Sequence, residues 1–285
     1  MNPLRTLQFI WQHPLARRNK SRALSLWIRW QIGSRVLRQP VVMPFVEDAV
    51  LVVESGMTGA TGNIYCGLHE FADMSLVLHL LRPEDLFLDA GANVGSYSIL
   101  AAKVAGAKCV TVEPVPSTFA RLYRNVTINQ LHQQVELWGC ALGSSSGVLQ
   151  FSADRDTTNC AVDKSYQGKS ISVPLRTVDE VLARKAPVMW KVDVEGFEQE
   201  VLRGAKHALQ NEQLNVVLLE SDGPELSTTM TASGFSRCNY DPFLRQLQQT
   251  GTNNRNQNHL WVRDMSAVEA RCQSAPKRAV FGVEI

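Results

Sequence analysis

Short apolar runs, each followed by an acidic residue, recur along the middle of the chain and predict the strands of one sheet. Four of them cover residues 86–88, 110–112, 188–192 and 216–219, and they lead into Asp89, Glu113, Asp193 and Glu220. Between them, apolar residues at helical spacing predict helices over residues 70–81, 96–102, 117–129 and 198–209. Alternating strands and helices predict an α/β domain whose parallel strands end at one edge of the sheet.

The other segments give weaker patterns. Residues 41–53 predict a short hairpin, residues 135–142 a third strand whose end can face an adenine ring at Ala141, and residues 147–151 and 171–175 a second hairpin. We expect Thr157, Thr158, Asn159 and Cys160 at the rim of a substrate pocket. Residues 259–262 predict a last strand, residues 246–258 a polar loop, and residues 266–285 a weakly specified tail.

The turn after the first of the four strands contains Asp89, Gly91, Asn93 and Gly95 and leads into a predicted helix. Strand–loop–helix turns of this kind bind nucleotide-like ligands at a helix N-terminus. The G-x-x-x-G spacing lacks the middle glycine of a dinucleotide fingerprint, and no P-loop lysine follows it. The turn therefore favours a nucleoside without phosphates, S-adenosylmethionine, although such a turn alone can equally be structural.

Two further segments fit a nucleoside ligand. Glu113 ends the next strand, where a carboxylate can accept hydrogen bonds from both ribose hydroxyls. Residues 56–70 carry four glycines and predict a loop. This loop either folds over the ligand and brings Asn63, Tyr65, His69 or Glu70 to it, or is an ordinary surface loop.

The segment from Lys191 to Glu198 carries the second candidate group. The two-residue period of a strand places Lys191, Asp193 and Glu195 on one face, at the carboxyl end of a predicted parallel strand. That edge borders the crevice where doubly wound sheets bind ligands. The alternative is a strand end held together by an ion pair with Lys191.

Charge is unevenly distributed. The 285 residues have a net charge of +2, but the first acid is Glu47, and the segment before it holds Arg5, Arg17, Arg18, Lys20, Arg22, Arg29, Arg35 and Arg38. The first 38 residues predict two basic amphipathic helices separated by Pro14. They either pack on the domain, which the pattern favours, or make peripheral contact with an anionic membrane. The body is net acidic, so we expect no nucleic-acid partner.

The six cysteines are widely spaced and form no zinc motif, which indicates reduced thiols and a cytoplasmic location with membrane association as an option. No apolar run reaches the ~20 residues of a membrane span. The N-terminus also lacks the pattern of a secretion signal.

The motifs together resemble the FkbM-type family of S-adenosylmethionine-dependent methyltransferases. The resemblance covers about residues 56 to 263 and rests on the turn from Asp89 to Gly95, Glu113–Pro114, the segment from Asn125 to Asn129, Ala141 to Gly143, Lys191 to Glu198, and Val201 to Ala205. It implies a class I methyltransferase fold, Rossmann-like, with a seven-stranded, mostly parallel sheet, one antiparallel edge strand and helices on both faces. We expect this domain at residues 41–265, after a basic extension at 1–40 and before a tail at 266–285.

The resemblance also implies roles for single residues. Gly91, Asn93 and Gly95 would pass under the methionine moiety, with Asp89 near its ammonium and Glu113 on the ribose. Asp193 and Glu195 would face the transferring methyl group and the acceptor, a hydroxyl of a sugar, glycan or natural product. A carboxylate can remove the hydroxyl proton as the new bond forms. Mg²⁺ held by Asp193 or Glu195 with Glu220 or Asp222 is the less favoured alternative.

Three other functions compete with O-methyl transfer. A methyltransferase acting on nitrogen in protein or nucleic acid would often carry an Asn/Asp-Pro-Pro-Tyr motif where this chain has Asp193 to Gly196. A non-catalytic binding module is disfavoured because the acids and glycines are all present. A nicotinamide-dependent dehydrogenase would need the missing middle glycine.

Overall fold

The computed structural model describes residues 3–37, 39–54, 57–152, 166–250 and 258–285. The predicted pocket-rim residues Thr157 to Cys160 lie outside these ranges. Among the described residues, no helix combines the length and the apolar character needed to cross a bilayer.

The N-terminal region consists of three helices and a hairpin. Its elements are α1 (Pro3–Gln12), α2 (Pro14–Arg18), α3 (Lys20–Leu37), β1 (Val41–Pro44) and β2 (Val50–Val53). Two helices separated at Pro14 were predicted here. The structure has three, because the chain also leaves the helical conformation at Asn19, between α2 and α3. Leu15, Ala16 and Ala23 are fully buried in the same apolar cluster as residues of the sheet.

An alternation of helices and strands follows. Its elements are α4 (Thr58–Cys66), α5 (Phe71–Leu80), β3 (Leu86–Ala90), α6 (Ser96–Ile99) with a π-helical continuation (Leu100–Val104), β4 (Lys108–Val112), α7 (Pro116–Ile128), β5 (Val135–Trp138), β6 (Ala141–Leu142), β7 (Gly147–Ser152), β8 (Ser170–Arg176) and α8 (Val178–Leu182). The remaining elements are β9 (Met189–Val192), α9 (Glu198–Arg203), a 3₁₀ turn (Ala208–Gln210), β10 (Val216–Leu219), α10 (Pro224–Ala232), β11 (Ser236–Asp241), β12 (Gln246–Gln249), β13 (His259–Val262), α11 (Met265–Gln273), β14 (Ala279–Val280) and β15 (Val283–Glu284).

The main sheet has the strand order β12-β11-β13-β10-β9-β3-β4-β5. Strands β10, β9, β3, β4 and β5 run parallel to one another, whereas β13 is antiparallel to both β10 and β11. The strand order reverses between β3 and β9, and the carboxyl ends of these strands border a crevice at such a switch point. The predicted α/β fold with a mostly parallel sheet is confirmed.

Both faces of the sheet are buried. Phe87 and Met189 belong to one apolar cluster and their chain neighbours Leu88 and Trp190 to the other, as the two-residue period of a strand requires. The strands of a sheet covered on both faces are apolar throughout. For this reason the strands were visible in the sequence as short uninterrupted apolar runs.

The predicted number of strands was wrong. Within the described parts of the chain the main sheet has eight, because residues 246–249, predicted as part of a polar loop, pair with β11 as an edge strand. Only Leu247 of this strand is buried, so its composition resembles that of a loop. The predicted strand over 135–142 is two strands, since Ala141 and Leu142 leave the main sheet as β6. Strand β6 pairs with one edge of β8, and β7 pairs with the other edge.

The prediction of a loop over residues 56–70 was also wrong. Residues 58–66 form α4 despite their glycines, because Ala60, Ile64 and Cys66 are buried in the core and tertiary packing outweighs poor helix propensity. Gly62 has a packing role here. A Cβ atom at this position would lie 2.1 Å from Nδ1 of His69.

Residues 266–285 are ordered by contacts, although the sequence predicted a weakly specified tail. Helix α11 is followed by the hairpin β14–β15, with Cys272 and Val280 buried. The guanidinium of Arg245 donates to the carbonyls of Ala275 and Ile285, at 2.5 and 2.9 Å. The domain boundaries given above stay a prediction.

Gly95 offers a test of the turn after β3. Its φ of 88° is unfavourable for a side chain, and a Cβ atom would lie 2.5 Å from Leu122 Cδ1. We expect Gly95→Ala to lower the free energy of unfolding by about 1–3 kcal/mol in urea titrations. Gly147→Ala is the matched control, since a Cβ atom there meets no atom within 4 Å; equal losses in both variants would contradict this account.

Candidate active site

A cavity of about 310 Å³ lies at the carboxyl ends of the central strands, where the strand order reverses. Helix α4 contributes Ala60 and Asn63 to its wall. Of the predicted site residues, the cavity is lined by Glu70, Gly91, Asn93, Glu113, Ala141, Asp193 and Glu195. The fold thus brings together side chains that are more than 120 positions apart in the sequence.

Asp89 and Gly95 do not belong to this lining. Asp89 is completely buried, and its Oδ2 accepts hydrogen bonds from the backbone N–H and the hydroxyl of Ser98, at 3.0 and 2.6 Å. Its Oδ1 has no hydrogen-bond partner among the residues that the structure describes, and burial raises the pKa of this carboxyl. Asp89 thus stabilises α6 through Ser98 from inside the domain. Its predicted contact with a cofactor stays a prediction.

The turn from Gly91 to Asn93 is shaped by close backbone approach. Gly91 has a φ of 77°, and a Cβ atom there would lie 1.8 Å from the carbonyl oxygen of Asp193. The N–H groups of Gly91 and Ala92 both donate to the carbonyl of Val112, at 3.0 and 2.9 Å. The turn is therefore fixed between the ends of β4 and β9, with bare backbone facing the cavity.

Glu113, which follows β4, stabilises the same turn through its carboxylate. Its Oε2 accepts from the N–H of Asn93 at 3.0 Å and its Oε1 from the N–H of Val115 at 2.9 Å. Burial raises the pKa of Glu113 to about 7, against the effect of these two hydrogen bonds. Each carboxylate oxygen has a second lone pair, so Glu113 can still accept hydrogen bonds from a ligand hydroxyl.

Lys191, Asp193 and Glu220 form a coupled charge cluster at the ends of β9 and β10. The Lys191 ammonium lies 2.5 Å from Oδ2 of Asp193 and 4.8 Å from the centre of the Tyr97 ring. Burial opposes the charge on Lys191, but Asp193, Glu70 and Asp89 raise its pKa above the ordinary value. Burial also opposes the charge on Asp193, yet Lys191 and a hydrogen bond from Glu220 keep the pKa of Asp193 low.

Glu220 is the acid of this cluster whose surroundings favour its protonated form. Burial and the adjacent charge of Asp193 raise the pKa of Glu220 to about 8. Carboxylate oxygens of Asp193, Glu195 and Glu220 lie within 4.8 Å of one another. The Lys191 ammonium already supplies positive charge to this group and would compete with a bound Mg²⁺. Asp222, the other predicted ligand, is paired with Arg237 at 3.0 Å. Both contacts disfavour the Mg²⁺ alternative.

Glu195 occupies a strained turn after β9. Its φ is 52° and that of Gly196 is 85°, and its backbone N–H donates to Oε2 of Glu220 at 3.3 Å. Buried Glu198 stabilises this turn by accepting from the N–H groups of Val194 and Gly196, both at 3.3 Å. The turn presents the Glu195 side chain to the cavity, where burial raises its pKa.

Around Glu70 and Tyr97, the wall of the cavity is a hydrogen-bonded network of polar side chains. Glu70 accepts from the hydroxyl of Tyr97 at 2.8 Å and from the amide of Asn258 at 3.2 Å, and Asn258 also donates to Asp73 at 2.9 Å. Burial and neighbouring Glu70 raise the pKa of Asp73 to about 7. Of the other loop candidates, Asn63 and His69 line the cavity, whereas Tyr65 does not.

The lining as a whole is acidic. Five carboxyl groups face the cavity against the one lysine, and the described lining residues include no arginine. Such an environment favours a ligand that carries positive charge and hydroxyl donors. The site thus combines bare backbone, an acceptor for hydroxyls and a cluster of acids next to one another.

The sequence model described as "Methyltransferase FkbM domain" matches residues 89–248, more than half of the chain. The chain belongs to this family. Its mostly parallel sheet is that of the class I methyltransferases expected from the resemblance, but the antiparallel strand β13, expected at the edge, lies between β10 and β11.

Relatives with curated names are methyltransferases. The chain is 32% identical over 148 residues to the hexuronic acid methyltransferase AglP of Haloferax volcanii, covering 51% of this chain and 59% of that protein. It is 27% identical over 204 residues to methyltransferase sdnD of Sordaria araneosa, covering 58% and 79%. A solved structure, methyltransferase FkbM from Methylobacillus flagellatus, covers 82% of this chain and 59% of its own, with 15% identity and a TM-score of 0.45.

Sequence analysis missed several residues of the site. Tyr97 and Ser96 lie in a segment that the pattern marked only as helix, and Asn258 lies in what was predicted as a polar loop. No local signal distinguishes these residues, because their partners come from distant segments. Lys191 was predicted on the same face as Asp193 and Glu195, and it does line the cavity, but the sequence assigned it no role other than an ion pair.

The proton on Glu220 predicts a pH dependence of stability. Its pKa is about 8 in the folded protein and about 4.5 as an ordinary glutamate, so the unfolded chain loses this proton first. The stabilisation is complete below about pH 4.5 and is lost as the pH rises through about 8. Hence we expect the free energy of unfolding to fall between about pH 5 and 8, and to fall less steeply in Glu220→Gln.

Urea titrations across this pH range measure the slope. Glu212→Gln, which removes an exposed carboxyl group, is the matched control and should keep the slope of the parent chain. An unchanged slope in Glu220→Gln would show that Glu220 is ionised in the folded protein.

Proposed function

We propose that this protein transfers a methyl group from S-adenosylmethionine to a hydroxyl group of a sugar, glycan or natural product. Membership of the FkbM family supports methyl transfer, and the similarity to a hexuronic acid methyltransferase supports a sugar-like acceptor. The observation that carries the proposal is Glu113. Its buried carboxylate faces the cavity beside the Gly91–Asn93 turn, which lines the same cavity.

The cavity fits this cofactor in size and charge. Its volume of about 310 Å³ lies within the range of small-molecule sites. A sulfonium and an ammonium group carry positive charge, which complements the carboxyl groups of Glu70, Glu113 and Asp193. A dinucleotide would bring two phosphates into the same acidic surroundings, which disfavours the dehydrogenase alternative.

Residues that follow β3 and β4, together with Glu70 and Ala141, would hold the cofactor. We assign the ribose hydroxyls to Glu113, the methionine moiety to the backbone of Gly91 and Asn93 with Glu70 nearby, and the adenine ring to the neighbourhood of Ala141. All five line the cavity. When bound, S-adenosylmethionine supplies a methyl group on a sulfonium, which is electrophilic enough to react with an oxygen nucleophile.

The acids after β9 would prepare the acceptor. An alcohol is a weak nucleophile near neutral pH, so a base must take its proton as the C–O bond forms. Glu195 suits this task because its pKa is raised, whereas that of Asp193 is lowered by Lys191. In our proposal Glu195 accepts the proton, and the Lys191–Asp193 pair orients the acceptor through hydrogen bonds.

Replacing Glu113 tests the cofactor site. Glu113→Gln keeps the shape of the side chain but removes the charge and one acceptor, so we expect S-adenosylmethionine to bind about tenfold more weakly or not at all. Isothermal titration calorimetry measures this affinity, with NAD⁺ as the competing ligand. Tighter binding of NAD⁺ than of S-adenosylmethionine would refute the cofactor assignment.

The matched control for this titration is Glu136→Gln, on the adjacent strand β5. Glu136 is exposed and pairs with Lys185, outside the cavity lining. Its replacement should leave the affinity unchanged.

Replacing Glu195 tests the catalytic assignment. With an acceptor found by screening methyl glucuronide, neutral methyl glycosides and hydroxylated natural products, we expect Glu195→Gln to lower kcat by about 10²–10⁴-fold. The affinity for S-adenosylmethionine should change little, because the proposal assigns Glu195 to the acceptor and not to the cofactor. In the parent chain kcat should rise with pH through the raised pKa of Glu195, and this limb should disappear in the variant.

Asp193→Asn separates the two acids. We expect this variant to raise KM for the acceptor and to retain the pH limb of kcat, since Asp193 orients and Glu195 takes the proton. If Asp193→Asn abolished the limb and Glu195→Gln kept it, the two roles would be reversed.

A further inference from the structure

The N-terminal helices expose an unusual set of apolar side chains. Half of the large hydrophobic side chains that the described residues leave exposed belong to α1 and α3: Leu4, Trp11, Leu24, Ile28, Ile32 and Val36. Val36 is 73% and Ile32 61% exposed. We call these six side chains, together with the exposed basic side chains of Arg17, Lys20, Arg29 and Arg35 on helices α2 and α3, the basic apolar face.

Helix α3 is apolar on two opposite sides. One side buries Ala23 and Trp30 in the core of the domain. The other carries Leu24, Ile28, Ile32 and Val36 at intervals of four residues, which places them one above another along the helix. A surface helix of a soluble domain is normally polar on its outer side, so four exposed aliphatic residues in a row need a separate cause.

The charge around this stripe has one sign. The chain has no acid before Glu47, and Arg17, Lys20, Arg29 and Arg35 are all exposed on these helices. Among the described residues, none of these four forms an ion pair with a carboxylate. Lys20 lies over the ring of Trp11 within this face, 4.3 Å from the ring centre. By contrast, Arg18 and Arg22 stack on Phe243 and Phe281 and join the helices to the body.

We propose that the basic apolar face docks on the surface of an anionic lipid bilayer. Aliphatic side chains and Trp11 would enter the boundary between headgroups and acyl chains, while the arginines and Lys20 would contact lipid phosphates. Only a partner that offers apolar contact and negative charge together satisfies both halves of this face. The inference does not depend on the proposed function.

Other occupants fit the face less well. A second copy of the chain in a two-fold dimer would bring the same positive charges together across the interface, which costs energy. A nucleic acid would match the charges but would leave the aliphatic stripe in contact with a polar surface. Charge complementarity therefore selects the bilayer.

Vesicle co-sedimentation of the full chain tests the proposal. We expect binding to extruded vesicles of phosphatidylcholine with about 30 mol% phosphatidylglycerol, and little binding to phosphatidylcholine alone. Binding should weaken at about 0.5 M salt, because screening reduces the electrostatic part. Equal binding to both kinds of vesicle would overturn the proposal, as would no binding to either.

Paired variants locate the contact. Ile32→Glu should lower the partition coefficient for anionic vesicles by about tenfold or more, since it removes an inserted apolar side chain and adds negative charge. Val148→Glu is the control, because Val148 is 71% exposed on β7. Arg29→Gln should weaken binding more than Lys206→Gln, which removes an exposed charge after α9.

Circular dichroism and urea titrations on the same variants check that each is folded. If the control variants lose vesicle binding as strongly as Ile32→Glu and Arg29→Gln, the proposed face is wrong. Size-exclusion chromatography with light scattering adds a second criterion. A dimer that Ile32→Glu converts to monomer would assign the face to a second copy instead of a bilayer.

Discussion

The ammonium of Lys191 is the charge on which the carboxyl edge of the sheet depends. It is almost completely buried and lies among Asp193, Glu70 and Asp89, each of which stabilises its charged form. Removing this one cation would leave several carboxyl groups in a space with little water, where their mutual repulsion is strong. The raised pKa of Glu220 is part of the same balance. The single positive charge of Lys191 compensates the charge of Asp193 and only part of any further negative charge nearby.

This balance gives the segment from Lys191 to Glu198 a physical explanation. Lys191 reaches the cavity from β9 itself, whereas Asp193 and Glu195 reach it from the turn after the strand, where the alternation of strand faces no longer applies. Glu198 has a different task, since its buried carboxylate accepts the backbone N–H groups of the turn that carries Glu195. A motif of four charged residues thus consists of three that face the ligand space and one that holds the turn.

Much of the fold and part of the site could be predicted from local patterns. Buried parallel strands are short apolar runs, and their carboxyl ends meet at one edge, so Glu113, Asp193 and Glu220 could be placed together without coordinates. Helix α4 could not be predicted, because its glycines oppose a helix and only its packing against the core stabilises one. The same holds for β12, a polar edge strand paired on one side, and for Asn258, whose partners Glu70 and Asp73 lie more than 180 positions away.

The raised pKa values of the cavity also have a consequence for ligand exchange. Glu113 has a pKa of about 7 and Glu220 of about 8, so both carboxyl groups of the lining are partly protonated near neutral pH. A cation that enters favours the ionised carboxylates and displaces protons into the solvent. Occupancy of this cavity is therefore linked to proton release, and its affinity for a cationic ligand increases as the surroundings become more alkaline.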